Sequence, residues 1–82
     1  MAKSVFSKQY KRFRELLIEA RKLAGLTQTE LSNKLNRPQS YVSKYERGER
    51  RLDLIEFLEI IEVLNMSPIT FIEKLLDHQW ER

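Results

Sequence analysis

The sequence contains no cysteine, one histidine, two glycines and two prolines among its 82 residues. Neither disulfide bonds nor a Cys/His zinc site can hold such a chain together, so apolar packing must do so. There is also no cysteine nucleophile, no glycine-rich phosphate loop and no HExxH or other paired-ligand spacing. We therefore expect no metal, no cofactor and no enzymatic activity.

Long apolar runs are missing as well. The first residues, MAKSVFSK, lack the apolar stretch of a signal peptide, and no run approaches the roughly 18 apolar residues of a membrane span. A chain of this length can bury one core but not two. These features predict a single domain over residues 1–82 of a soluble, cytoplasmic protein that is not inserted in a membrane.

The charges are unevenly divided along the chain. Residues 1–51 hold 13 Lys/Arg against 5 Asp/Glu, a net +8, whereas residues 52–82 hold 2 against 7, a net −5. A basic front half suits nucleic acid or an acidic membrane surface, and an acidic back half suits a protein partner or simple solvation. Charge alone leaves these partners open.

Apolar residues recur with the period of a helix, and no segment alternates for long as a strand does. The first predicted helix runs from about Ser7 to Ala24 and ends at Gly25, which suits a left-handed C-cap. Its apolar stripe consists of Tyr10, Phe13, Leu17, Ala20 and Leu23.

Three further helices are marked by their capping signals. Thr27 with Glu30 and Asp53 with Glu56 have the spacing of capping boxes, and Ser67 precedes a proline at the first helical position. The fourth helix is predicted to continue through Leu54, Leu58, Ile61 and Leu64. With a helix between Pro38 and Gly48, the prediction is an all-α protein of five helices.

The helix predicted between Pro38 and Gly48 has two unlike faces. At about 100° per residue, Val42 and Tyr45 lie on the apolar side and Tyr41 lies at its edge. The outward residues are Gln39, Ser40, Ser43, Lys44 and Arg47. A helix with a packed back and a polar front can enter the DNA major groove, where glutamine pairs with adenine and lysine with guanine. Base contacts are therefore predicted for Gln39, Ser40, Ser43 and Lys44.

Phosphate contacts need backbone N–H groups at a helix start, or flexible cations at the edge of the groove. Thr27 and Gln28 stand at the predicted start of the second helix. Four arginines flank the third helix. The predicted phosphate contacts are Thr27, Gln28, Arg37, Arg47, Arg50 and Arg51.

Two stretches, GLTQTEL at residues 25–31 and VSKYERG at residues 42–48, resemble the Cro/repressor-type helix-turn-helix family, also called the XRE family. The resemblance covers about residues 10–76, with the motif at about 27–48. It implies a compact five-helix, lambda-repressor-like domain in which helices 2 and 3 form the helix-turn-helix and helix 3 reads the major groove. It also implies a transcriptional regulator, expected to be a repressor, that binds double-stranded DNA as a homodimer.

The resemblance assigns individual roles too. Gln28 matches the family's phosphate-binding glutamine, and the four predicted base contacts fall on its usual base-reading positions. Arg21 and Glu46 stand where many members have an ion pair between helix 1 and the end of helix 3. Two departures are visible: Asn36 replaces the usual turn glycine, which asparagine tolerates, and Pro38 offers no capping oxygen where a side-chain cap is common.

A protein-interaction module is the main alternative, because domains of this type also occur in proteins that bind other proteins and the acidic half offers such a surface. An antitoxin-type component of a two-protein system has the same features at this length. For the dimer contact, the sequence offers Ile69, Phe71 or Ile72 in the last helix. Trp80, in the polar tail, either folds back or marks an interface.

Overall fold

In the computed structural model, which describes residues 2–79 and the side chains of residues 8–77, five α-helices follow one another. They are α1 (Ala2–Leu23), α2 (Gln28–Lys34), α3 (Tyr41–Glu46), α4 (Leu54–Val63) and α5 (Pro68–Gln79). No strand occurs among residues 2–79, so the all-α prediction is confirmed. Over the same residues, no helix is both long and apolar enough to cross a membrane. Trp80 lies outside the described residues.

The capping signals do begin the helices that they predict. Thr27 Oγ1 accepts from the Glu30 N–H at 3.0 Å, and the Glu30 carboxylate accepts from the Thr27 N–H at 2.9 Å. Asp53 and Glu56 make the same reciprocal pair before α4, and Ser67 Oγ caps α5. These bonds satisfy N–H groups that a helix start leaves without partners.

The helices end in residues with left-handed backbone. Gly25 has φ 76° after α1, and Asn36 and Asn65 have φ 58° and 59° after α2 and α4. Asparagine tolerates this conformation better than other non-glycine residues. Asn36 therefore makes the turn between α2 and α3.

One cluster of buried side chains draws on all five helices, and α1 and α2 both pack against α3. Its members are Leu16, Leu17, Ala20, Leu31, Tyr41, Val42, Tyr45, Phe57, Ile60, Ile61, Leu64 and Phe71. The rings of Phe13, Phe57 and Phe71 meet with centroids 5.0–5.8 Å apart, a range in which tilted aromatic pairs attract. The core thus provides the packed back that α3 needs.

Some predicted positions are wrong. α1 begins at Ala2 rather than near Ser7, because no glycine or proline interrupts residues 2–6. Leu23, expected in the stripe of α1, is exposed at the end of that helix. Phe71, offered as a dimer contact, is buried in the core.

The stripe predicted for α4 is also partly wrong. Leu54 and Leu58 are exposed, and Phe57 and Ile60 occupy the buried positions instead. Helix α4, with the sequence LIEFLEIIEV, is apolar on two adjacent sides. Helical periodicity cannot choose between two such stripes, because only packing against the other helices decides which one is buried.

Candidate nucleic-acid interface

The third helix has the buried back that its sequence predicts. Val42 and Tyr45 are 0% and 1% exposed, and Tyr41, expected at the edge of the apolar face, is also buried. Lys44 is exposed and Ser43 is half-buried. The side of α3 that carries Lys44 therefore has no part in the core.

Gln39 and Ser40 are exposed but lie in the turn before α3, because the helix begins at Tyr41. The prediction that they belong to the helix is wrong. Pro38 brings no capping oxygen, and Ser40 makes no side-chain cap bond. Both residues nevertheless lie beside the start of the helix, because they immediately precede Tyr41. The backbone O of Ser40 also accepts from Ser43 Oγ at 3.1 Å.

A buried serine joins α2 to α3. Ser32 Oγ accepts from the Val42 N–H at 3.2 Å and donates to Gln39 O at 3.3 Å. It thereby satisfies an N–H group in the first turn of α3, which has no partner within the helix. Sequence reasoning missed this residue, and the only signal was its position beside Leu31 on the inner side of α2.

Arg21 and Glu46 are both buried, and Arg21 Nε donates to Glu46 Oε2 at 2.8 Å. A second bond, from Arg21 Nη2 to Oε1 at 3.1 Å, makes the contact bidentate. Gln28 Nε2 also donates to Glu46 Oε1, at 2.8 Å. The carboxylate thus joins the end of α3 to α1 and to the start of α2, and the Gln28 amide is directed towards this pair.

Arg14 holds the end of α3 from another side. Its Nη1 donates to Glu46 O at 2.9 Å, and its guanidinium lies against Gly48, which has φ 81°. A Cβ atom at Gly48 would stand 3.2 Å from Arg14 Cζ. Sequence reasoning also missed Arg14, because only the glycine after α3 hinted at a close approach.

Two of the predicted phosphate contacts lie at the end of α3 and in the loop after it. Arg47 donates twice to the Glu49 carboxylate, at 2.9 and 3.1 Å, and this hydrogen bonding lowers the pKa of Glu49 and raises that of Arg47. Arg51 lies over the Tyr10 ring, with its Cζ 4.3 Å from the centroid. Both arginines are exposed.

The other two arginines are tied to α4. Arg50 donates to both oxygens of Glu56, at 2.7 and 3.1 Å, and Arg37 donates to Glu59 at 2.8 Å. Both guanidinium groups lie over the Tyr41 ring, 4.9–5.0 Å from its centroid. The hydrogen bonds from Arg50 and then from the capped backbone lower the pKa of Glu56 to about 2. Nothing in the sequence indicated that Glu56 and Glu59 would pair with these arginines.

Comparison with known proteins accords with this geometry. A helix-turn-helix family model matches residues 17–71. Among solved structures, an XRE-family like protein from Pseudomonas syringae pv. tomato str. DC3000 is 43% identical over 93% of each chain and superimposes with a TM-score of 0.88. No curated protein matches the chain.

The described fold, the helix-turn-helix match and the similar structure define one class of protein, the helix-turn-helix regulators that bind DNA. The chain belongs to the XRE family within that class.

Proposed function

We propose that the protein is a sequence-specific repressor of transcription that inserts α3 into the major groove of double-stranded DNA in the cytoplasm. The observation that carries the proposal is the orientation of α3. Val42 and Tyr45 are buried while Lys44 is exposed, so one side is free to meet the bases. The major groove, about 12 Å wide, admits a helix presented in this way.

The base contacts in this proposal are Gln39, Ser40, Ser43 and Lys44. In helix-turn-helix proteins the N-terminal residues of the recognition helix contact the base edges, and Gln39 and Ser40 immediately precede α3. Gln39 suits adenine and Lys44 suits guanine O6 and N7. The two serines are small enough to allow a close approach.

The phosphate contacts come from the start of α2 and from the arginines beside α3. Thr27 and Gln28 contribute through the first turn of α2, where the Gln28 side chain is already engaged with Glu46. Arg37, Arg47, Arg50 and Arg51 supply the cations. In the free protein three of these arginines hold carboxylates, which would compete with a phosphate for the guanidinium.

We also propose that the protein acts as a homodimer through α5. Ile69, Ile72 and Leu76 are exposed on this helix, and their spacing of three and four residues places them on one side of it. A two-fold axis would bring this stripe against its own copy, as an isologous interface requires. Two copies of α3 would then face two half-sites of one operator.

A protein-interaction module, including an antitoxin-type component, is the second candidate. It is supported by the exposed Leu54, Ile55 and Leu58 on α4, which lie in the acidic half of the chain beside Glu59 and Glu62. Such a surface suits a basic, partly apolar partner.

Selection of bound sites from random DNA tests the proposal. We expect enriched sequences with two half-sites about 10 base pairs apart, one helical turn, and affinity that falls steeply with salt. Strong salt dependence without a preferred sequence would leave a nonspecific DNA binder. No binding near physiological salt would favour the protein-interaction module.

A further inference from the structure

Three of the four arginines beside α3 are paired with carboxylates of the same chain, and the pairs differ in how firmly they are held. Glu56 also accepts the capping bond from the Asp53 N–H, and its side chain is only 16% exposed. Arg50 is therefore part of the structure that begins α4. The side chains of Arg47 and Glu49 have no such additional structural role, because within the described residues 8–77 they hydrogen-bond only to each other.

The Arg47–Glu49 pair is open to solvent. The side chains of Arg47 and Glu49 are 57% and 53% exposed, and the two are bound only to each other by side-chain hydrogen bonds. Glu49 occupies the Nε and Nη2 donors of the Arg47 guanidinium, a pair that fits a carboxylate or a phosphate in the same bidentate manner. These two donors cannot bind both groups in that manner at once, so a phosphate that binds them displaces the carboxylate.

We infer that Glu49 is an internal competitor for DNA phosphate: it holds the Nε and Nη2 donors of Arg47 in the free protein, and a DNA phosphate that binds these donors displaces it. This inference rests on the proposed DNA-binding function. Phosphate contacts carry no sequence information by themselves, so the competition weakens binding to all sequences alike. Glu49 thereby lowers the salt concentration at which the protein dissociates from DNA. Base recognition depends on other residues.

Glu49→Gln tests the inference, because it keeps the side-chain shape and removes the competing charge. Its affinity is measured by fluorescence anisotropy for the selected site and for a mixed-sequence duplex. We expect both to bind up to about fivefold more tightly, the equivalent of an exposed ion pair. The slope of log affinity against log salt should steepen by up to about 0.9. Glu73→Gln, on α5, is the matched control for the change in net charge.

A double-mutant cycle with Arg47→Gln separates competition from plain repulsion between Glu49 and DNA. If Glu49 acts through Arg47, then Glu49→Gln gains nothing beyond the Glu73→Gln control once Arg47 is replaced. An equal gain with and without Arg47, or no gain with Arg47 present, would overturn the inference and leave the proposed function intact. Failure of the wild-type protein to bind DNA near physiological salt would overturn both. Circular dichroism checks that each variant is folded.

Discussion

The carboxylate of Glu46 and the guanidinium of Arg21 form a buried, bidentate pair that joins the last residue of α3 to α1, with contacts of 2.8 and 3.1 Å. Helix α3 has only six residues, too few to be stable by its own hydrogen bonds. Its position therefore depends on what surrounds it. The pair, the Ser32 hydrogen bonds and the core together hold α3 at one angle.

Arg21→Met should lower the free energy of unfolding by about 3–5 kcal/mol, because it leaves the Glu46 charge buried without its partner. Urea denaturation measures the loss. Since apolar replacement of a whole buried ion pair is often neutral, the double variant Arg21→Met, Glu46→Leu should regain most of it. A double variant as unstable as the single one would show that the loss has another source.

Gly48→Ala should destabilise the protein more than Gly25→Ala. Both glycines have positive φ, where an alanine is strained by about 1–2 kcal/mol. Only at Gly48 would the added Cβ also meet Arg14, at 3.2 Å, whereas nothing lies within 4 Å at Gly25. Thermal unfolding of the two variants isolates this contact. Equal losses at the two glycines would mean that Arg14 simply moves aside.

Stability should depend on Glu56 at neutral pH and lose that dependence in acid. Its pKa falls from 4.5 to about 2 in the folded protein, so its contribution is complete above pH 4.5 and disappears as pH falls towards 2. Glu56→Gln, which can still cap α4, should be less stable than the wild type at pH 7 by about 1 kcal/mol. Urea denaturation of both proteins across this pH range measures the difference in their free energies of unfolding. A difference that stays constant down to pH 2 would exclude the Arg50–Glu56 ion pair as its cause.

Ile72→Asp should abolish the proposed dimer, because it places a charge in an apolar interface where its own copy faces it. Sedimentation velocity measures the mass in solution, before and after addition of DNA. Leu54→Asp, on the exposed side of α4, is the control and should leave the dimer intact. Loss of the dimer in Leu54→Asp but not in Ile72→Asp would indicate that the interface lies on α4. A wild-type protein that remains monomeric on DNA would exclude the dimer.

The features that could be predicted from the sequence depend on residues close together in the chain. The capping boxes at Thr27 and Asp53 join residues three apart, and the burial of Val42 and Tyr45 follows from helical spacing. The Arg21–Glu46 ion pair was expected only through the family resemblance, since nothing local connects two residues 25 positions apart.

The features that could not be predicted depend on packing between distant segments. Arg14 reaches Glu46 across 32 positions and Arg37 reaches Glu59 across 22, and no spacing rule covers such distances. In α4 two apolar sides compete for burial, so the sequence could not place Leu58 outside and Phe57 inside. Helix α3 was predicted to include Gln39 and Ser40 but begins at Tyr41. Pro38 offers no side-chain cap that would start the helix earlier.

The most direct test of the central claim, that the exposed side of α3 reads bases, compares Lys44→Ala with Arg51→Ala on the selected site and on a scrambled duplex of the same length. We predict that Lys44→Ala loses about 1–3 kcal/mol on the selected site and little on the scrambled one, whereas Arg51→Ala weakens both alike. Equal losses on the two duplexes for Lys44→Ala would contradict base reading by α3.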